Sequence, residues 1–184
     1  MTYYNNIWLD KIASYGDDVR IDDTARINRP ELVTVGSHII IDFNVYISVC
    51  LKMKDWIHIA PFASVIGGGG TYLYMGHFTS IAAGGRVICA TDDFKCSLLS
   101  PHIPKELKTV KIAPVILEDF SCLGTNAVCI SGITLAMGSV IGAGGIVTKD
   151  TEPWGIYVGV PAKLIGYRDK ENILENAQKL GYEI

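Results

Sequence analysis

The stretch LEDFSCLGTNAVCISGITLAMGSVIGAGGIV, from Leu117 to Val147, carries an aliphatic or small apolar residue at every sixth position: Leu117, Leu123, Cys129, Leu135, Ile141 and Val147. Four residues after each of the first five stand Ser121, Ala127, Ile133, Ser139 and Gly145. A period of six is neither the 3.6 of an amphipathic helix nor the 2 of a half-buried strand. A fixed hexapeptide repeat predicts a solenoid, the parallel β-helix.

The same register holds earlier in the chain. Ile21 and Ile27 open it, with Ala25 in the small position, and a two-residue slip at Arg29–Leu32 resets the count. Val35, Ile41, Ile47, Met53, Ile59 and Val65 then recur at six-residue spacing, followed four places on by Ile39, Val45, Leu51, Ile57 and Ala63. A short strand and a turn make one flat face, and three faces close a coil stacked about 4.8 Å above the last. The first residue of each hexad points inward. The residue four places on sits inside a corner, where small side chains are expected.

Two segments break the repeat. The first is GGGGTYLY, Gly67 to Tyr74, read either as a flexible corner or as a substrate-contacting loop; Met75, Ile81 and Val87 then resume the register. The second is an extruded loop at about 88–115, in which no hexad fits from Thr91 to about Ala113. Uninterrupted irregular chain of that length inside a domain is uncommon and usually functional or disordered. Phe94, Leu98, Leu99 and Ile103 make it too apolar for a free linker. The chain therefore divides into an N-terminal segment, 1–18, with a short helix from Asn5 to about Ser14, a β-helix domain, 19–168, and a C-terminal helix, 169–184. Asp169 is the expected N-cap of that last helix, and Ile173, Leu174, Ala177 and Leu180 form its apolar face.

Composition bounds the function. At 184 residues the chain is one domain's worth. A net charge of -3, without a run of like charges, argues against nucleic acid as partner. No segment approaches the roughly 18 uninterrupted apolar residues that a membrane span needs. The N-terminus shows no secretory pattern, and the five cysteines have no metal-finger spacing, so buried reduced thiols in a cytoplasmic protein are expected. No histidine cluster suggests a metal site.

Three features together resemble the hexapeptide-repeat acyltransferases: the hexads, the segment GAGGIVTKD (Gly142 to Asp150) and the ending WGIYVGVPAKLIGYR (Trp154 to Arg168). The resemblance runs from about Val19 to Arg168 and implies a left-handed coil, although parallel crossovers are generally right-handed. Within the family, TDDF (Thr91 to Phe94) followed by SPHIP (Ser100 to Pro104) looks most like a branch that acts on nucleotide-linked sugars for bacterial surface polysaccharides such as O-antigen and lipopolysaccharide. It implies acetyl-CoA as acyl donor and a homotrimer with active sites between subunits. It also implies that Gly124, Gly142, Ala143 and Gly144 line the pantetheine groove. Lys149, Lys163 and Arg168 would meet the CoA phosphates, with Pro161 and Ala162 beside the adenine.

Many relatives place a catalytic histidine near the start of the insertion, where this chain has Asp92 and Asp93. The nucleophile can be weighed by magnitude. A sugar hydroxyl has a pKa near that of water, about 15.7, so freeing it near pH 7 costs about 12 kcal/mol and needs a base. An amine of pKa about 8 is already about a tenth neutral there, at a cost of about 1.4 kcal/mol. Carboxylates then have only to orient it. The expected activity is N-acetylation of a nucleotide-linked amino-deoxy sugar, with Asp92, Asp93 and Glu118 as catalytic and substrate-binding residues and Ser80 as a weaker member of the pocket. Sugar O-acetylation with His102 as base is the alternative enzyme. A non-catalytic trimeric β-helix scaffold is the alternative of another class.

Overall fold

The computed structural model describes residues 7–183. Its short strands collect into three parallel sheets. An eight-stranded sheet runs from Val19–Ile21 through Ile39–Ile41, Ile57–Ile59, Ser80–Ile81, Cys122–Leu123 and Val140–Ile141 to Gly155–Val158, with Lys163–Tyr167 added antiparallel at its end. A six-stranded sheet begins at Arg26–Ile27 and ends at Ile146–Val147, and a five-stranded one begins at Val33–Thr34 and ends at Thr134–Leu135. Strands adjacent in a sheet lie one coil apart in sequence, as the repeat requires. Ile41 pairs with Ile59, and Leu123 with Ile141.

The core is the hexad residues themselves. Leu117, Leu123, Cys129, Leu135 and Ile141 are wholly buried, as are Ile41, Ile47, Ile59 and Val65. The rule for the fourth place after them holds only in part. Ser121, Ala127 and Ser139 obey it beside two-residue strands, but Ile39, Leu51 and Ile57 are equally buried in strands of three or four residues. A longer strand turns that position from a cramped corner into a second inward pleat, with room for a large side chain.

The corners have their own chemistry. Where the chain enters the eight-stranded sheet, His38, Trp56, Phe78, Phe120 and Trp154 all adopt positive φ, between 59° and 63°. Bulky residues there cost roughly 1–2 kcal/mol each. Stacking offsets part of this, with His38 on Trp56 at 3.9 Å and Phe78 on Phe120 at 5.1 Å. Carboxylates receive the corner N–H groups of a neighbouring coil: Asp55 Oδ1 from Ser37 at 2.7 Å and Asp119 Oδ1 from His77 at 2.6 Å.

Both ends depart from the repeat. Of the N-terminal helix, Asn5 and Asn6 lie outside the described residues. From Ile7 to Ser14 the expectation is corrected: the N–H groups of Lys11 and Ile12 bond to the Trp8 carbonyl in a single turn. The chain then pairs with the first coil instead of winding on, since Ala13 N–H bonds to Val33 O and Ser14 O accepts from Val35 N–H. The C-terminal helix, Lys170–Lys179, is capped by Asp169, whose carboxylate accepts from Asn172 N–H. Its Ala177, with Ile173 and Leu174, packs on Phe120 and Trp154 of the aromatic corner.

Candidate active site

The insertion is closed at its base by a two-stranded antiparallel ladder, Ala90–Asp92 against Val110–Ile112, in which Asp92 faces Val110. Alternation along the two strands decides which carboxylate goes where. Residues two apart share a face, so Ala90, Asp92, Val110 and Lys108 lie on one side and Asp93 and Lys111 on the other. The first face, together with Thr91 at its edge and Asn28, Tyr46, Ser48, Gly67, Gly68, Phe94 and Pro101, lines a cavity of about 710 Å³.

Inside this cavity Asp92 Oδ1 lies 4.0 Å from Lys108 Nζ. Lys108 is held there by a 3.1 Å hydrogen bond to the Ser100 carbonyl. The Tyr46 hydroxyl accepts from the Asn28 amide at 2.8 Å, and Ser48 Oγ accepts from Gly67 N–H at 3.3 Å, so the opposite wall is also fixed. Asp93 has different work. Its Oδ1 accepts from Lys95 N–H at 3.0 Å, closing the turn, and Lys111 Nζ lies 3.3 Å from its other oxygen. The Lys95 N–H first, and Lys111 after it, hold the Asp93 carboxyl below its ordinary pKa against the opposing effect of burial.

The remaining expected residues scatter. Glu118 Oε2 accepts from Met137 N–H at 2.8 Å, the same corner service that Asp55 and Asp119 perform, and it is not among the residues lining the Asp92 cavity. Ser80 donates to Cys122 Sγ at 3.0 Å on the outer face of the eight-stranded sheet and lines a separate cavity with Trp56 and His58. His102 is exposed on the insertion and lines no part of the Asp92 cavity. Arg168, expected at a phosphate, instead donates through Nη1 to the carbonyls of Phe120 and Gly138, at 2.7 and 2.8 Å, with its guanidinium over the Trp154 ring. Half-burial lowers its pKa, and those two carbonyls staple adjacent coils. Lys108, Tyr46 and Asn28 were not expected. The Gly67–Gly70 run was the sequence's only pointer to this wall.

The glycine corner, expected to line the pantetheine groove, is a bare ridge. A Cβ on Gly124 would meet the Ile141 carbonyl oxygen at 2.3 Å, and one on Gly142 the Val158 side chain at 2.9 Å, so both are demanded by coil stacking. Gly144, at φ +68°, would meet nothing within 4 Å, and it is exposed with Ala143. Lys149, Pro161 and Lys163 are also exposed on the last coils. Among the described residues no group of three or more potential ligands could hold a metal ion, and no helix is long and apolar enough to cross a membrane.

No model of a protein family matches the chain. It is 26% identical over 177 residues to a dTDP-4-amino-4,6-dideoxy-D-glucose acyltransferase of Escherichia coli, covering 93% of this chain and 91% of the relative. A variant of AntD, an N-acyltransferase from Bacillus cereus solved with dTDP-4-amino-4,6-dideoxyglucose and coenzyme A, superposes with a TM-score of 0.92 at 28% identity, over 98% of this chain and 99% of that one. The chain has the fold of the hexapeptide-repeat acyltransferases and matches acyltransferases over nearly its whole length. The hexapeptide-repeat acyltransferase solenoid is accordingly the left-handed β-helix. AntD has also been solved with dTDP and 3-hydroxybutyryl-CoA, and matches with a TM-score of 0.90 at 27% identity, over 98% of each chain.

Proposed function

We propose that this acyltransferase moves an acyl group from acyl-CoA to the amino group of a dTDP-linked 4-amino-4,6-dideoxy sugar. The observation that carries the reading is the cavity at the base of the insertion, whose walls offer a carboxylate, Asp92, and no histidine. The nucleotide and the sugar are those of the two acyltransferases that this chain matches along nearly its whole length.

Asp92 orients the amine by accepting one of its hydrogens, leaving the nitrogen lone pair free for the thioester carbonyl. A C–N bond forms and the C–S bond breaks. The proton displaced from nitrogen ends on the coenzyme A sulfur. The acyl donor lies along the Ala143–Gly144 ridge, where the Gly144 N–H is bonded to the Thr125 carbonyl and that of Ala143 is left to meet a developing oxyanion. Lys149 and Lys163 meet its phosphates. Asp93, tied to its turn, supports the hairpin rather than the substrate.

Phe94, Leu98, Leu99 and Leu107 are exposed on the insertion and suit burial against a second copy, which supports a homotrimer with sites between subunits. A cytoplasmic site follows from the supply of acyl-CoA and nucleotide sugar there, with the acylated sugar destined for surface polysaccharide.

The test is coenzyme A release with dTDP-4-amino-4,6-dideoxyglucose, using acetyl-CoA and 3-hydroxybutyryl-CoA in parallel, with mass spectrometry of the product. Formation of an amide is expected. Turnover of hydroxy-sugar nucleotides instead, abolished in His102→Ala, would overturn it in favour of O-acylation. Absence of acyl-CoA binding by calorimetry would leave the scaffold reading.

A further inference from the structure

Lys108 is a cation in an unusual place for an enzyme whose substrate must arrive as a free amine. Its side chain is 14% exposed and that of Asp92 26%. The titratable groups lining the cavity are Tyr46, Asp92 and Lys108. Around it, Asp93 and Lys111 pair on the far side of the hairpin, and Lys95, His102, Lys105 and Glu106 are exposed along the insertion. Arg29 lies against Gly69, beyond the glycine wall.

An ammonium group at Asp92 would have Lys108 as its close like-charged neighbour, since Lys108 Nζ stands 4.0 Å from the same carboxylate. Like charge disfavours the charged form, by roughly a pH unit or more at this range. A carboxylate alone would do the reverse, holding the amine protonated and inert. We propose that Lys108 activates the substrate: its charge lowers the pKa of the sugar amine bound at Asp92, so that the nucleophilic neutral form dominates in the complex. This rests on the acceptor being an amine at Asp92, as proposed above. The ammonium gives one proton to solvent on binding, and the amine then attacks as described. Lys108 exchanges no proton and makes no bond to the sugar. It acts through its charge and through the Ser100 tie that fixes its position.

The rate at saturating substrate, followed against pH, reports the groups of the complex. Lys108→Gln keeps a donor for the Ser100 carbonyl and removes only the charge. Its acid limb is expected about one pH unit higher than in the wild type, so that the rate ratio approaches about tenfold at the acid end of the profile while the rate at high pH nearly recovers. Lys108→Arg, which keeps the charge, is expected to restore the wild-type limb. An unmoved limb in Lys108→Gln, or a loss equal at every pH, overturns the proposal.

A second measurement needs no variant. Nitrogen NMR of ¹⁵N-labelled amino-sugar nucleotide bound to the wild type, without acyl-CoA, should show an amine pKa below that of the free sugar nucleotide. An equal or higher value overturns the proposal. No turnover of any amino-sugar nucleotide by the wild type overturns the function and Lys108 together. Turnover with an unmoved limb overturns Lys108 alone.

Discussion

Asp92 and Asp93 are adjacent in sequence and opposite in situation. Asp92 looks into the cavity, while Asp93 closes a turn with Lys95 and pairs with Lys111. Asp92→Asn should therefore lower kcat/KM on the amino-sugar nucleotide by roughly tenfold to a hundredfold, in steady-state kinetics with the fold intact. Asp93→Asn should act on the loop instead, raising KM more than it lowers kcat. Because the folded Asp93 pKa is depressed, its stabilisation of the hairpin is fully present above the unfolded carboxylate value of about 3.9. It is lost as pH falls through the lower folded value. Hydrogen exchange across residues 90–112 should accelerate in that acid window, and should do so less in Asp93→Asn. The cysteines can be sorted in the same way. Burial pushes the Cys89 and Cys129 thiols up to about 12, whereas Cys96 is exposed. A thiol reagent at pH 8 should label Cys96 in the native protein and reach Cys89 and Cys129 only after unfolding, which mass spectrometry of the labelled peptides would show.

At the scale of elements, the two kinds of corner should respond differently to the same substitution. Gly138 sits among the aromatics at φ +70°, and a Cβ there would meet the Trp154 ring at 2.3 Å. Gly144 has nearly the same φ, +68°, with open space above it. Gly144→Ala should cost only the backbone strain, about 1 kcal/mol. Gly138→Ala adds a clash with the ring on which the C-terminal helix is seated, and should cost about 2 kcal/mol or more by denaturant unfolding. Equal costs would show that the aromatic column yields easily. The insertion is also an element in its own right. Its antiparallel base is clamped by the Asp93 N–H to Thr109 carbonyl bond and by Thr109 N–H to Ser97 Oγ, at 2.8 and 2.6 Å, so it is a built arm and not a free loop.

At the scale of the molecule, coils touch only their neighbours, and the buried hexads form one continuous column. Leu135→Ala, in a wholly buried position, should cost about 2–5 kcal/mol. Each kcal/mol should lower Tm by about 2–4 °C in a chain of this size, measured at fixed protein concentration. The repeat, its two interruptions and the capped last helix could be read directly from the sequence. A six-residue period admits few geometries, because an inward side chain recurs only where the chain turns three times per coil. The insertion stood out as a candidate site because the period fails there. Its inner arrangement was not, since no period governs a hairpin's parity. Lys108, Tyr46 and Asn28 lie 80 residues apart at the extremes and meet only because the arm folds back over the early coils. For the same reason Glu118, expected from its place in the hexad, and Arg168, implied by the resemblance, belong to coil corners, where unpaired backbone groups claimed them first. The sequence by itself determined the solenoid and where its chemistry is interrupted. Tertiary folding alone decided that Asp92 faces the cavity and that a lysine stands beside it.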